Sequence, residues 1–387
     1  VKKLAGIFML CFIMAFSGCQ KEQLQAPETI PEEKEMDVPE DNEAVGLPEA
    51  TKEAADTEKV AEDGLEIVIP DEQDLVADYT SIEGLELEPG AHIAVVVMNP
   101  KNHYWKAVEK GMQQAIEELN QKSAYTGQDK IYLTYEGPDD AAAAETQINI
   151  IDAVLAENPQ ALCISAIDRN SLQAQLETAQ ENGIPVIILD SGVKSAELAY
   201  TVCETDNYNA GAQAAKKLCE KIGDVGVVQI VAHLQNADTS TKRENGFRDE
   251  IAENHPNVRV LDTIYEDAEE SVNESLRAAF EGNPDVKGCF TTSEGTGITV
   301  LDYLAKNELE EVQLVGFDAG AKQIEAIKSG KEYGVICQNP YGMGYATVVA
   351  ASRAILGMEN DTYIDAGYQW IDAINIDAEE NQKYLYE

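Results

Sequence analysis

Ile184-Pro185-Val186-Ile187-Ile188-Leu189-Asp190-Ser191-Gly192 is the stretch that decides the fold. Its apolar run carries no polar alternation, so it reads as a strand buried on both faces, the condition of a parallel sheet with helices on either side. A helix carrying Leu172 and Leu176 stops at Gly183 just before it, and the run ends in Asp-Ser-Gly, where ligands of open parallel sheets bind. Working upstream, Ile93 to Val97 is a second buried strand, followed by Trp105, Val108, Met112, Ile116 and Leu119 at helical spacing. A strand around 131–135, a helix with Ile148, Ile151 and Leu155, and a strand at 161–164 complete the series. Downstream it begins again. Asp206 is placed to cap a helix through Ala210, Ala214 and Leu218 to Gly223, and strand Val227 to Val231 opens a second round, with strands near 258–264, 286–291, 312–317 and 333–338. The pattern predicts an α/β protein of two successive halves of similar size, each built on a parallel doubly wound sheet, with a cleft between the carboxyl ends of their strands.

Residues able to bind follow the strands. In the first half these are Asn102-His103-Tyr104-Trp105, Ser165 to Asp168, and Asp190-Ser191. In the second they are Arg243, Thr292-Ser293-Glu294, Phe317-Asp318 and Gln338. Flat rings cover the C–H faces of a sugar, while carboxylates, amides and a guanidinium bond its equatorial hydroxyls. Each residue also has a plainer reading. Asp190, Asp206 and Asp318 precede helices and serve as caps; Trp105 is at a core position of its helix; Arg243 has Glu244, Asp249 and Glu250 within reach. Only their joint placement in both halves favours a site.

These motifs, together with Thr205-Asp206-Asn207, Gly211, Arg243-Glu244-Asn245-Gly246-Phe247 and Val315-Gly316-Phe317-Asp318, resemble the type 1 periplasmic binding protein family, in particular its ribose-binding-like members serving sugar ABC transporters. The resemblance covers residues 91 to 387 and implies two Rossmann-like lobes joined by three crossover segments acting as a hinge, near 205–206, 338–339 and 366–370. It implies a first lobe of 91–205 plus 339–367 and a second of 206–338 plus 368–387. Carried over by position, Asn102, Tyr104, Trp105 and Asp190 line the first lobe's face, and Arg243, Phe317, Asp318 and Gln338 the second's. Where the ribose binder has arginine after the strand-end aspartate this chain has Ser191, and Ser165 and Ser293 replace two of its asparagines. The family's stacking aromatic is replaced near Asp267, with Tyr265 close by. These departures argue against ribose itself and leave another monosaccharide, a polyol or a sugar-derived signal.

The ends of the chain carry separate information. Lys2 and Lys3 precede an apolar stretch, Leu4 to Phe16, too short to span a bilayer but suited to a secretory signal over 1–18. Ser17-Gly18-Cys19 resembles a bacterial lipobox, which implies acylation at Cys19. Residues 20–90 hold 23 acidic and 4 basic residues and lack apolar periodicity, so 19–90 is read as a disordered acidic tether. The apolar islands Leu65 to Ile69 and Leu85 to Leu87 are the places where it could dock.

Across all 387 residues, 71 acidic residues against 28 basic give a net charge of −43, which excludes a nucleic-acid groove. Ser191-Gly192-Val193-Lys194 matches a Ser-x-x-Lys pattern, but its position in a strand-end turn does not suit that nucleophile, so no enzyme is expected. The four histidines show no metal spacing, no Walker loop exists, and Gly295 and Gly297 lack a third partner; neither metal nor cofactor is expected. Cysteines 163, 203, 219, 289 and 337 read as buried thiols. The expected protein is a monomeric lipoprotein on the outer face of the cytoplasmic membrane of a Gram-positive bacterium. It is expected to pass a sugar to an ABC permease, or alternatively to present it to a chemoreceptor or sensor kinase.

Overall fold

The structure, a computed structural model, describes residues 77–386. The segment read as a secretory signal, Cys19, and the part of the expected tether up to residue 76, with its island Leu65 to Ile69, lie outside the described residues.

The first half runs β1 (His92–Val96), α1 (His103–Lys122), β2 (Tyr132–Glu136), α2 (Ala144–Ala156), β3 (Ala161–Ile164), α3 (Gln173–Glu181), β4 (Val186–Leu189) and β5 (Thr201–Glu204). The second runs α4 (Asn207–Ile222), β6 (Gly226–Ala232), α5 (Asp238–Asn254), β7 (Val258–Val260), β8 (Ile264–Tyr265), α6 (Val272–Gly282), β9 (Val286–Thr291), α7 (Glu294–Lys306), β10 (Gln313–Phe317), α8 (Ala321–Lys328) and β11 (Gly334–Gln338). The chain then adds α9 (Pro340–Ile355), β12 (Tyr363–Asp365) and β13 (Tyr368–Asp372). Among the described residues no helix is long and apolar enough to cross a membrane.

Two sheets form, in the orders β12-β5-β4-β3-β1-β2 and β13-β11-β10-β9-β6-β7. Every pairing is parallel except that of β11 with β13. The shared 2-1-3-4-5 order within each half is a doubly wound arrangement whose switch point lies between the first and third strands. The chain passes between sheets after β5, after β11 and between β12 and β13, at the three places where crossovers were expected.

Strand periodicity explains the layers. Side chains alternate between sheet faces, so Ile93, Val95, Cys163, Ile187 and Leu189 enter one core with α1 and α9. Their neighbours Ala94, Val96, Leu162, Ile164, Val186 and Ile188 enter another with α2 and α3. Each large aliphatic side chain so buried contributes roughly 1.5–3 kcal/mol. In the second lobe, α4 and α5 approach closely through Gly211 and Gly246. A Cβ on either would strike the other helix's backbone, at Arg243 or Tyr208. That contact fixes the height of Arg243.

Residues 77–90, read in sequence as part of a tether, are packed on the first lobe. Tyr79, Leu85 and Leu87 join the first lobe's core, with both leucines only 2% exposed. The Tyr125 hydroxyl donates to the carbonyl of Leu87 (3.0 Å), and the amide of Asp361 donates to the Tyr79 hydroxyl (2.7 Å). Leucine and glutamate alternate over residues 85–88, which turns one face inward and leaves the other to water.

Candidate functional site

Asp190 and Asp318 occupy equivalent positions. Each follows the fourth strand of its half, and each amide donates to a carbonyl of the fifth strand, Cys203 (2.9 Å) and Ile336 (2.8 Å). Both adopt left-handed backbone, φ 58° and 73°, uncommon for residues other than glycine and tolerated best by Asp and Asn. Such geometry concentrates at functional sites. Both are almost fully buried, 5% and 6% exposed.

A hydrogen-bonded chain joins them across the cleft. The Tyr104 hydroxyl donates to Asp190 Oδ1 (2.6 Å) and lies 3.4 Å from Gln338 Oε1, while Gln338 Nε2 donates to Asp318 Oδ1 (2.8 Å). Gln338 ends β11 at one crossover, and its Oε1 accepts from Thr205 Oγ1 (3.0 Å) at another. Burial pushes both aspartates above the usual carboxylate range; the neighbouring Arg243 pulls back, as does Tyr104 for Asp190 and Gln338 for Asp318. Burial, with the Asp190 charge beside it, raises the Tyr104 phenol well above its ordinary value.

Arg243 is presented by α5. Its Nε donates to Asn207 Oδ1 (2.8 Å), one terminal amino group donates to the carbonyl of Thr292 (2.7 Å), and the guanidinium lies over Phe317. Asn102 caps α1, its Oδ1 accepting from the Tyr104 amide (2.8 Å), and Ser293 caps α7 in a capping box with Thr296. Trp105 packs against the edge of Tyr104.

The cavity between the strand ends measures about 280 Å³, near the lower end of small-molecule pockets, roughly 300–1,000 Å³. Asn102, Tyr104, Trp105, Asp190, Arg243, Ser293, Asp318 and Gln338 all line it. Ser191 and Phe317 do not, which corrects two expectations. Ser191 is buried with its hydroxyl unpartnered, and Phe317 lies in the second lobe's core as a platform beneath Arg243.

Other lining residues were not singled out from sequence. His233, Leu234 and Thr239 enter after β6, the counterpart of β1, and Glu266 after β8; Glu294, which the sequence did single out with Ser293, lines the cavity too. The rule that chemistry follows strands points to His233. Its ring sits between Thr292 Oγ1 (2.9 Å) and Thr239 Oγ1 (3.2 Å), and burial, helped by Arg243, pushes its pKa down to about 3, so it is neutral. Tyr265 bonds to Glu244 and stays out of the cavity.

Ion pairs close one side of the cleft. From the second lobe, Lys242 bonds to Glu204 of the first (2.6 Å) and to Asp238 (2.6 Å), and Arg169 of the first lobe meets Asp238 at 3.4 Å. Burial pushes Glu204 up to about 7, against the pull of Lys242. Tyr386 donates its amide to the carbonyl of Ala319 and sets its ring edge-on to Tyr104, with its hydroxyl buried and unpartnered.

All five described cysteines are buried and unpaired. The fold does bring Cys219, Asp224 and His255 together, with one candidate atom of each within 4.8 Å, a convergence that sequence spacing did not reveal. His255 Nδ1 is held by Asp224 Oδ1 at 2.8 Å, and burial pushes the Cys219 thiol up to about 12, so the trio is a neutral thiol beside an Asp–His pair.

Comparison with known proteins fits this architecture. The periplasmic binding protein domain family matches residues 93–359. A xylitol-binding protein of Mycolicibacterium smegmatis is 25% identical over 50% of this chain, a match spanning 56% of that protein's length. A ribose import binding protein of Bacillus subtilis is 21% identical over 71% of this chain and 85% of its own. A crystal structure of an ABC transporter solute-binding protein from Agrobacterium vitis, bound with α-D-tagatopyranose, superposes with a TM-score of 0.71 at 25% identity, covering 77% of this chain and 99% of that one. Paired sheets of one topology, a cleft at their strand ends and the matched span together place the chain in the type 1 periplasmic binding protein family, among its ribose-binding-like members, as a binding protein and not an enzyme.

Proposed function

We propose that this protein captures a monosaccharide or polyol between its lobes and delivers it to an ABC importer permease, anchored by a lipid on Cys19 to the outer face of the cytoplasmic membrane of a Gram-positive bacterium. The observation that carries the reading is the pair of buried aspartates facing Arg243 across one small cavity. Carboxylates accept from sugar hydroxyls and the guanidinium donates to them, at roughly 1.5–3 kcal/mol per charge-assisted bond. A few such bonds with aromatic contact from Tyr104 and Trp105 reach the about 8 kcal/mol of micromolar affinity. The xylitol, ribose and tagatose in the relatives' names are small polyhydroxylated molecules of this kind.

Gln338 and Thr205 link the cavity to two crossovers, so contacts made by a ligand are felt where the lobes hinge. A panel of pentoses, hexoses and polyols read by thermal shift tests the function, since a ligand stabilises the folded state by RT ln(1 + [L]/Kd). At least one member should raise the melting temperature, and a panel without response refutes the sugar reading. Incorporation of labelled fatty acid by the wild type but not by Cys19→Ser tests the anchor.

A further inference from the structure

The cavity assigned above to a sugar is lined by more carboxyl groups than an uncharged ligand requires. Four carboxylates line it, those of Asp190, Glu266, Glu294 and Asp318, against one guanidinium, Arg243. His233 also lines it but is neutral.

The imbalance is sharpest in the second lobe. Asp318 Oδ2 accepts from the Glu294 amide (3.3 Å), which brings the two acidic residues together at the start of α7. The Glu294 side chain folds in against Gly320, just past Asp318. Burial and the Asp318 charge push Glu294 up to about 7, so near neutral pH both its protonated and its ionised forms are within reach inside the site. Arg243 spends two of its donors on Asn207 and the carbonyl of Thr292, not on carboxylates. Asp190 holds the Tyr104 hydroxyl and Asp318 the Gln338 amide, neither of which carries a positive charge.

A buried excess of carboxylate is relieved by taking up a proton or by binding a cation. An ammonium group donates up to three hydrogen bonds, and lining aromatic rings attract it further. We propose that the ligand is an aminated sugar or amino polyol whose ammonium is held by Asp318 and Glu294 while its hydroxyls are bonded by Asp190, Gln338 and Arg243. This rests on the sugar reading above and narrows it. The same wall disfavours phosphorylated and acidic sugars, which would set anion against anion.

Matched pairs differing only in hydroxyl or ammonium test the inference on the full chain by calorimetry at pH 7: glucose and glucosamine, galactose and galactosamine, mannose and mannosamine, sorbitol and its 1-amino derivative. In the pair that fits the cavity, the aminated member should bind at least about 10-fold more tightly, a difference of about 1.4 kcal/mol. Glu294→Gln should shrink that ratio, and the ratio in the wild type decides the matter if this variant fails to fold. Equal affinities, or tighter binding of the neutral member, overturn the inference and leave the sugar reading standing. Silence from every member, and from the neutral pentoses, hexoses and polyols, overturns both.

Discussion

Arg243 rests on the face of Phe317, its guanidinium carbon 3.6 Å from the ring centroid. The stack and the bonds to Asn207 and Thr292 hold a planar group that an ammonium cannot copy. Arg243→Lys should therefore lower ligand affinity by about 10- to 100-fold in calorimetry, the loss of one strong charge-assisted bond. Wild-type affinity in this variant would remove Arg243 from ligand contact.

Asp190→Asn and Asp318→Asn should each abolish ligand-induced thermal stabilisation. Ligand-free melting should hold steady or rise, because each substitution removes a buried carboxylate that burial disfavours. Ser191→Ala supplies the contrast: its hydroxyl lies outside the cavity, so the ligand response should persist. Loss of response in Ser191→Ala would return that residue to the site.

Asp238→Asn removes the anion shared by Arg169 and Lys242. Partly exposed pairs are worth about 0.2–1 kcal/mol, so affinity should weaken by roughly up to fivefold. Solution scattering of the ligand-free protein should show a larger radius of gyration than the wild type. An unchanged radius would mean that the Arg169–Asp238 pair does not hold the lobes together.

Glu332 supplies a pH test outside the cleft. It is 1% exposed, with Gln323 Nε2 at 3.3 Å from one oxygen and no partner for the other, and burial pushes its pKa up to about 8. An unfolded Glu titrates near ~4.3, so between these values the folded state holds a proton that the unfolded chain has released. The stability that Glu332 contributes should accordingly be fully present below about pH 4.3 and fall by about 1.4 kcal/mol per unit as pH rises toward 8. Glu332→Gln should melt higher than wild type at pH 8 and flatten the profile. Parallel profiles for the two proteins would refute the assignment.

The fold was legible because its signals are local. Apolar runs such as Val186 to Leu189 and helical spacing such as Val108, Met112 and Ile116 each report their own element, and repetition of the unit reports the two lobes. Asp190, Asp318 and Arg243 were legible because strand ends mark the cleft. Side-chain direction was not. Phe317 and Ser191 sit beside site residues in sequence yet turn away from the cavity, and strand-end position does not say which way a side chain points. Glu266 reaches the cavity from the turn after β8, a strand of two residues that is too short to show a periodicity in sequence, whereas His233 follows a regular strand end. Leu85 to Leu87 stood out in sequence as an apolar island where docking could occur, but composition averages over a segment and assigned the rest of it to a tether, whereas docking needs only two inward side chains.

The left-handed backbone at Asp190 and Asp318 restricts how this binding site can change. Only glycine, asparagine and aspartate sit there at little cost, and of these only the last brings a negative charge. Lengthening to glutamate or branching to threonine would set the strand-end turn against its own geometry. New ligand preferences in descendants of this protein, or in engineered sensors made from it, should therefore arise at Ser293, Glu294, His233 and Glu266, with the two aspartates retained as fixed posts around which the rest of the wall is rebuilt.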